Sequence, residues 1–413
     1  MSTSLHSPRT PVPQKGHQVR LLQGGDALFA AMVLAIDAST HEVRLETYIF
    51  HADPAAQRIA DALIRAAQRG VSVFLVVDGV GTPELPAQWI QGFKAVGVQW
   101  QIFMPLGRLG LLIPSRWRRL HRKLCVVDGA LAFCGGINLL DDRMDHIQGT
   151  LPAPRLDFAV QVRGPAVRHI HDVMARFWVR VEAVRTLQEA DFSLGWQALN
   201  TLVQQAFENG AHPDQIEPLS PNGVRAALVL RDNLSHRWHI ERMYRKAIAS
   251  ARQDIWIANA YFLPGSKLRK ALMHAARRGV RVRLLLQGRW KYLLQRHAVR
   301  QVYAELLAAG VEICEYVPSE LHAKVAVVDG RWATVGSSNL DPLSLLMARE
   351  ANMVVVDDDF AQDLAGRLQH AAEHECRWID AHTLEQRSFW DRRLDAGAFA
   401  LVRMMLFVLG QRY

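Results

Sequence analysis

A chain of 413 residues, half of them hydrophobic, has the length of two or three domains and enough apolar side chains to bury a large core. Its formal net charge of +9 suits a polyanionic partner, nucleic acid or an anionic membrane surface, without choosing between them. Cys125, Cys134, Cys314 and Cys376 have neither CxxC nor zinc-finger spacing, which excludes a thiolate metal centre and predicts reduced core residues in a cytosolic compartment.

Residues 1–17 contain no apolar h-region and are expected to form a short disordered tail rather than a signal peptide or anchor. A short strand over Gln18–Leu22 follows, then a helix over Asp26–Ala38 and a strand in VRLETYIF, Val43–Phe50. Next come a helix over Ala55–Arg69, a strand at Val71–Gly79, a helix near Leu85–Ala95 and a strand at Val98–Phe103. This β-α-β alternation predicts a mixed or mostly parallel sheet with helices on its faces.

The second half repeats that order. A strand at Ala226–Arg231 and a helix at His236–Ala251 lead to IWIANAYF, Ile255–Phe262, which answers VRLETYIF. RRGVRVRLLLQG at Arg277–Gly288 answers QRGVSVFLVVDG at Gln68–Gly79. Repeat offsets show about a dozen extra residues in the first half, the segment Pro105–Arg119. Beyond these, Met353–Val356 reads as a strand and Phe360–Asp380 as a helix. The expected division is an N-terminal domain over 18–187, a linker with a helical excursion over 188–223, a C-terminal domain over 224–382 and a basic, apolar tail over 383–413.

Each half carries one copy of a polar motif, LHRKLCVVDG from Leu120 and LHAKVAVVDG from Leu321. His121, Lys123, Asp128 and Asn138 match His322, Lys324, Asp329 and Asn339 at identical internal spacing. With this composition, H-x-K-x4-D is expected about 0.02 times by chance, yet it occurs twice. Side chains two apart on a strand share a face, so each half aims an imidazole and an ammonium at one spot.

Two such pairs converging with two Asn amides suit a phosphodiester. The lysines and amides would neutralise its non-bridging oxygens, while one imidazole attacks phosphorus and the other protonates the leaving alkoxide. Lysine is not a metal ligand and no carboxylates stand at ligand spacing, so the chemistry is expected to need neither metal nor cofactor. The aspartates Asp128 and Asp329 have the opposite strand parity and precede Gly, which predicts a turn-closing, buttressing role. Glu350 and Asp157, each on the next strand of its own half, are the candidates for orienting an imidazole.

These residues resemble the phospholipase D superfamily, whose duplicated motif reads HxKxxxxDxxxxxxGSxN. RLETYIF, QRGVSVFLVVDGVG, IANAYFLPG and ATVGSSNLDPLSL extend the resemblance to bacterial cardiolipin synthases of the B type, from Gln18 to the C-terminus. The resemblance implies an α/β fold: two tandem α-β-α domains, mixed sheets flanked by helices, with pseudo-twofold symmetry and one shared active site. It implies a phosphatidyltransferase acting through a phosphohistidine, with phosphatidylglycerol as donor and acceptor and glycerol released. Catalytic roles carry over to His121, Lys123, Asp128, His322, Lys324 and Asp329, with Asn138, Asn339 and Ser337 as phosphate contacts. His121 would be the nucleophile and His322 the acid and base. Gly136 stands where the second motif has Ser337, so the halves are unequal.

The expected partner is an anionic membrane rather than nucleic acid, met peripherally at the cytoplasmic face of a bacterial inner membrane. No apolar run reaches the roughly 20 residues that span a bilayer. The segment Pro105–Arg119 mixes Leu111, Leu112, Ile113 and Trp117 with Arg118 and further arginines, as an interfacial anchor would. Gly288–Tyr303 and Ala396–Leu409 are further candidates, each with a packed helix as the alternative. A metal-independent nuclease on the same fold is the rival reading; the Leu and Trp content beside the first motif speaks against it.

Overall fold

The computed structural model describes residues 10–106, 117–145, 149–189, 223–232, 236–289, 293–341, 348–380 and 389–408. They fall into two compact units. The first comprises 14–141 and 159–228; the second comprises 229–413 together with the excursion 142–158. That excursion belongs to the first repeat in sequence and clusters with the second unit.

In the first unit the elements are β1 (Gln14–Gln23), α1 (Gly24–Asp37), β2 (Glu42–Thr47), α2 (Pro54–Gln68), β3 (Ser72–Asp78), α3 (Ala87–Val96) and β4 (Gln99–Phe103). The hairpin β5 (Lys123–Val127) and β6 (Leu131–Gly135), then β7 (Phe158–Arg163), α4 (Ala166–Glu189) and β8 (Val224–Arg231), complete it. Its strands run β8-β1-β7-β6-β5-β2-β3-β4 across the sheet. β2, β3 and β4 are mutually parallel, as two βαβ units require, while β5 returns antiparallel against β2.

Strand alternation divides the apolar residues between the faces. Leu45, Leu75, Val77 and Cys125 pack with Phe29, Ile59, Leu63 and Phe93 of α1 to α3. Val76 and Phe103 turn the other way onto Phe177 of α4. Asp53 caps α2 by accepting from the amide of Ala56, and Pro54 stands in its first turn.

The second unit repeats the plan with α5 (His239–Ser250), β9 (Asp254–Asn259), α6 (Ser266–Arg277), β10 (Arg281–Gln287), α7 (Leu293–Leu307) and β11 (Glu312–Tyr316). Then come β12 (Lys324–Val328), β13 (Trp332–Gly336), β14 (Ala348–Val356), α8 (Asp358–His374), β15 (Cys376–Trp378) and α9 (Phe389–Val408). Its strand order is β15-β11-β10-β9-β12-β13-β14. Here too the three strands separated by helices are parallel, and β12 runs antiparallel to β9.

One predicted element changes at this level. The helix predicted to reach Asp380 stops at His374, and Cys376–Trp378 instead adds an antiparallel edge strand to β11. Within the amphipathic stretch Gly288–Tyr303, Ala298, Val299, Val302 and Tyr303 of α7 are buried in the unit's core, which is the packed-helix alternative for these positions. The C-terminal segment is a helix, α9, that packs on this unit through Phe399, and Asp395 Oδ1 lies 2.7 Å from His297 Nδ1, from which it accepts. No described helix is long and apolar enough to cross a membrane.

Candidate active site

The two motifs occupy equivalent places in their units. Lys123 and Lys324 are the first residues of β5 and β12, and each motif histidine lies two residues earlier. Each ammonium donates to the carbonyl of its own histidine, Lys123 Nζ to His121 O at 2.7 Å and Lys324 Nζ to His322 O. The residue ahead of each histidine is fixed from the end of a parallel strand. The amide of Leu120 donates to Asp78 Oδ2 at 2.7 Å, and that of Leu321 to Gln287 Oε1 at 3.2 Å. Asp78 and Gln287 were not singled out in the sequence, although their matched positions in the repeat carried the signal.

The motif aspartates act on backbone. Asp128 has φ 50 and Asp329 φ 52, and Gly129 and Gly330 follow with φ 61 and 57, the consecutive left-handed residues of a tight hairpin turn. Asp128 accepts from the amides of Thr40, His41 and Glu42; Asp329 accepts from those of Arg252, Gln253 and Asp254. Although burial alone would raise them, these amides hold both carboxyls below the usual range. Through these bonds Asp128 and Asp329 tie the motif hairpin to the loop entering β2 or β9, the buttressing arrangement expected from their parity and the following Gly.

His322 is oriented by Asp157, whose Oδ2 lies 2.6 Å from Nδ1. The aspartate is 1% exposed, and its other oxygen accepts from the amide of Phe158. It had been expected to serve the imidazole of its own repeat. The chain explains the exchange, since 142–158 folds with the second unit and Leu156 bridges Leu321 there. The amide of Leu156 donates to Glu320 O and that of His322 to Leu156 O, fixing Asp157 beside the ring. Arg155, buried between Glu320 at 3.0 Å and Asp145 at 3.3 Å, pins the same segment and had no motif signature.

Glu350 is fully buried and accepts from Ser337 Oγ at 2.5 Å, while that hydroxyl accepts from the amide of Ala351. Ser337, expected to bind phosphate, here directs its proton to the carboxylate of Glu350. Lys324 lies 4.0 Å from Asp157. Complete burial drives its ammonium down to about 8, against the pull of Asp157 and Glu350.

His121 stands in different surroundings. The ring of Tyr48 lies 5.0 Å from its ring, and Lys123 Nζ sits 5.4 Å from the same phenol. Ala260 occupies the equivalent place in the second repeat, so the sequence did contain this asymmetry. Asn138 is 7% exposed and accepts from the amide of Ile49 at 3.3 Å. Asn339 is buried too, and among the described residues its Oδ1 has no hydrogen-bond partner. Of the expected membrane contacts, Leu111, Leu112 and Ile113 lie outside the described residues. Trp117 and Arg118 are half-buried, and the carbonyl of Trp117 accepts from Arg119, which pairs with Asp78 at 3.1 Å.

The family model described as "Cardiolipin synthase, PLD-like domain" matches residues 32–150 and 244–371, one segment per repeat. Cardiolipin synthase B of Salmonella typhimurium is 36% identical over 397 residues, covering 96% of this chain and 90% of the relative. The Escherichia coli K12 protein of the same name is 34% identical over the same shares. Among solved structures, phosphatidylserine synthase of Haemophilus influenzae has a TM-score of 0.67 at 13% identity, covering 97% of both chains. That likeness concerns the fold.

Proposed function

The chain belongs to the phospholipase D-like cardiolipin synthase family, a family of phosphatidyltransferases, and from that premise we propose that it joins two phosphatidylglycerol molecules into cardiolipin and releases glycerol. The observation that carries the reading is the paired motif, with one imidazole tied through Nδ1 to a buried carboxylate and a buried lysine beside it. Such an imidazole presents its other nitrogen for proton transfer, in the tautomer its carboxylate selects.

In this reading both repeats serve one reaction. His121 attacks the phosphorus of the first phosphatidylglycerol; the P–O bond to the glycerol headgroup breaks, and His322 hands its proton to the departing alkoxide. A terminal hydroxyl of the second lipid then gives its proton to His322 while its oxygen attacks the phosphohistidine, freeing His121. Lys123, Lys324 and the amides of Asn138 and Asn339 neutralise the equatorial oxygens as charge builds. All of these groups are side chains of the motif, so turnover is expected in EDTA-treated protein. The location that fits is peripheral, at the cytoplasmic face of a bacterial inner membrane.

The test is to incubate purified protein with phosphatidylglycerol vesicles and identify the products by mass spectrometry. Cardiolipin and glycerol in equal amounts, both lost in His121→Ala and His322→Ala, are the expected result. Phosphatidic acid alone would mean that water is the acceptor, and DNA cleavage without lipid turnover would replace the reading by a nuclease.

A further inference from the structure

The outward side of α5 and α6 differs in charge from its counterpart in the other repeat. On the first unit, helices α1 and α2 carry Asp26, Asp37 and Asp61. Arg58 pairs with Asp26 at 3.3 Å, Arg65 pairs with Asp37 at 2.8 Å, and Gln57 donates to Asp61. Each exposed cation there has a carboxylate within reach, and the face is close to neutral.

The buried positions fix the alignment of the two pairs. Leu28, Met32 and Ile36 of α1 correspond to Ile240, Tyr244 and Ile248 of α5; Ile59, Leu63 and Ala66 of α2 correspond to Leu268, Leu272 and Ala275 of α6. Arg69 and Arg278 confirm it, since their guanidinium groups donate to the equivalent carbonyls of Ile36 and Ile248. At the three acidic positions the second repeat has Trp238, Ala249 and Lys270. Arg242, Arg245 and Lys246 project from α5, and Lys267, Lys270 and Arg277 from α6, all exposed. The only carboxylate in the two helices is Glu241, and among the described residues none of these six cations makes an ion pair.

Aromatic groups mark one end of this face. Trp238, preceding α5, is 46% exposed and Tyr261, preceding α6, is 36% exposed. α5 runs into β9 and α6 leaves it, so both lie at the C-terminal edge of β9, where Asn259 pairs with Lys324. Cations spread along two helices with amphipathic rings at one end fit the headgroup layer of a bilayer, where tryptophan and tyrosine partition and each Lys or Arg adds attraction to anionic lipid.

We propose that the α5–α6 face of the second unit is the surface on which an anionic bilayer docks. Trp238 and Tyr261 enter the headgroup layer at the motif end. The proposal deepens the reading above, on which the substrate is a membrane lipid. Nucleic acid is the competing polyanion, but a backbone-tracking surface would interleave its aromatics with the cations rather than gather them at one end.

The full-length protein carrying Arg242→Gln, Arg245→Gln, Lys246→Gln and Lys270→Gln tests it. Co-sedimentation is measured with vesicles of phosphatidylglycerol and phosphatidylcholine, with pure phosphatidylcholine vesicles and with a DNA duplex. Affinity for the anionic vesicles is expected to fall on the order of 100-fold, with a flatter salt dependence. Trp238→Ala should weaken binding by a smaller factor at every salt concentration. Arg58→Gln with Arg65→Gln, on the neutral face, should leave binding as in the wild type. Turnover of phosphatidylglycerol in detergent micelles and the thermal unfolding midpoint should be unchanged in the fourfold variant, separating docking from chemistry and folding.

Wild-type sedimentation of the fourfold variant would overturn the proposal, as would loss of duplex binding with vesicle binding intact. A protein that docks through this face but turns over no phosphatidylglycerol would instead overturn the proposed reaction and leave the surface standing.

Discussion

At the scale of single residues the site is defined by what each polar side chain is bonded to. Asp157 is held rigidly against His322, so Asp157→Asn should keep the fold and lower kcat on the order of 1000-fold, through loss of the correct tautomer and of charge compensation. Steady-state kinetics and circular dichroism check it; a loss smaller than tenfold would exclude the orienting role. Lys324 offers a pH test. The unfolded chain keeps that proton up to 10.5, whereas the folded one releases it at about 8. Folding stability therefore rises as pH climbs from about 8 toward 10.5, while the charge available to a phosphate is lost over the same window. The expected kcat/KM profile falls above about pH 8. That of kcat should break at higher pH, because a bound phosphodiester anion favours the ammonium. Ser337→Ala removes the hydrogen bond that fixes Glu350, and about a tenfold loss of kcat is expected with little change in KM.

Among the elements, the two motif hairpins are suspended from the loops that enter β2 and β9. Asp329→Ala frees the amides of Arg252, Gln253 and Asp254 and places alanine in a left-handed conformation. A destabilisation of about 1–2 kcal/mol is expected in urea unfolding, scaled for the exposure of the carboxylate, with residual activity well above that of His322→Ala. An activity loss equal to that of the histidine variant would return the aspartate to the chemistry. Gly336 is constrained by packing: a Cβ there would lie 2.3 Å from the amide group of Asn352, so Gly336→Ala should lower the melting temperature by several degrees. The paired strands and helices were legible from hydrophobic periodicity and repetition. The edge strand Cys376–Trp378 was not, because three residues carry no period and only β11, reached through tertiary pairing, makes them a strand.

At the scale of the molecule, the proposal that both repeats perform one reaction makes a quantitative prediction. His121→Ala and His322→Ala should each abolish nearly all turnover, and the double variant should be no worse than either single one, the non-additivity of groups acting as a unit. Measured initial rates decide it; retention of about half the activity in one single variant would mean two independent sites. The excursion 142–158 bears on this directly. A carboxylate encoded in the first repeat orients the imidazole of the second, so the repeats depend on each other in the chain even where each has its own core.

The sequence by itself determined the duplicated motif, the β-α-β order and the candidate His, Lys and Asn residues, because spacing along a strand decides which side chains share a face and a repeat reports itself. It also held the inequality of the halves, in Gly136 against Ser337 and Tyr48 against Ala260. Only the tertiary structure decided that Asp157 serves His322, that Ser337 holds Glu350, and that the motif aspartates bond backbone amides. These are contacts between residues far apart in the chain. Their partners are chosen by how the strands are brought together, which no local pattern encodes.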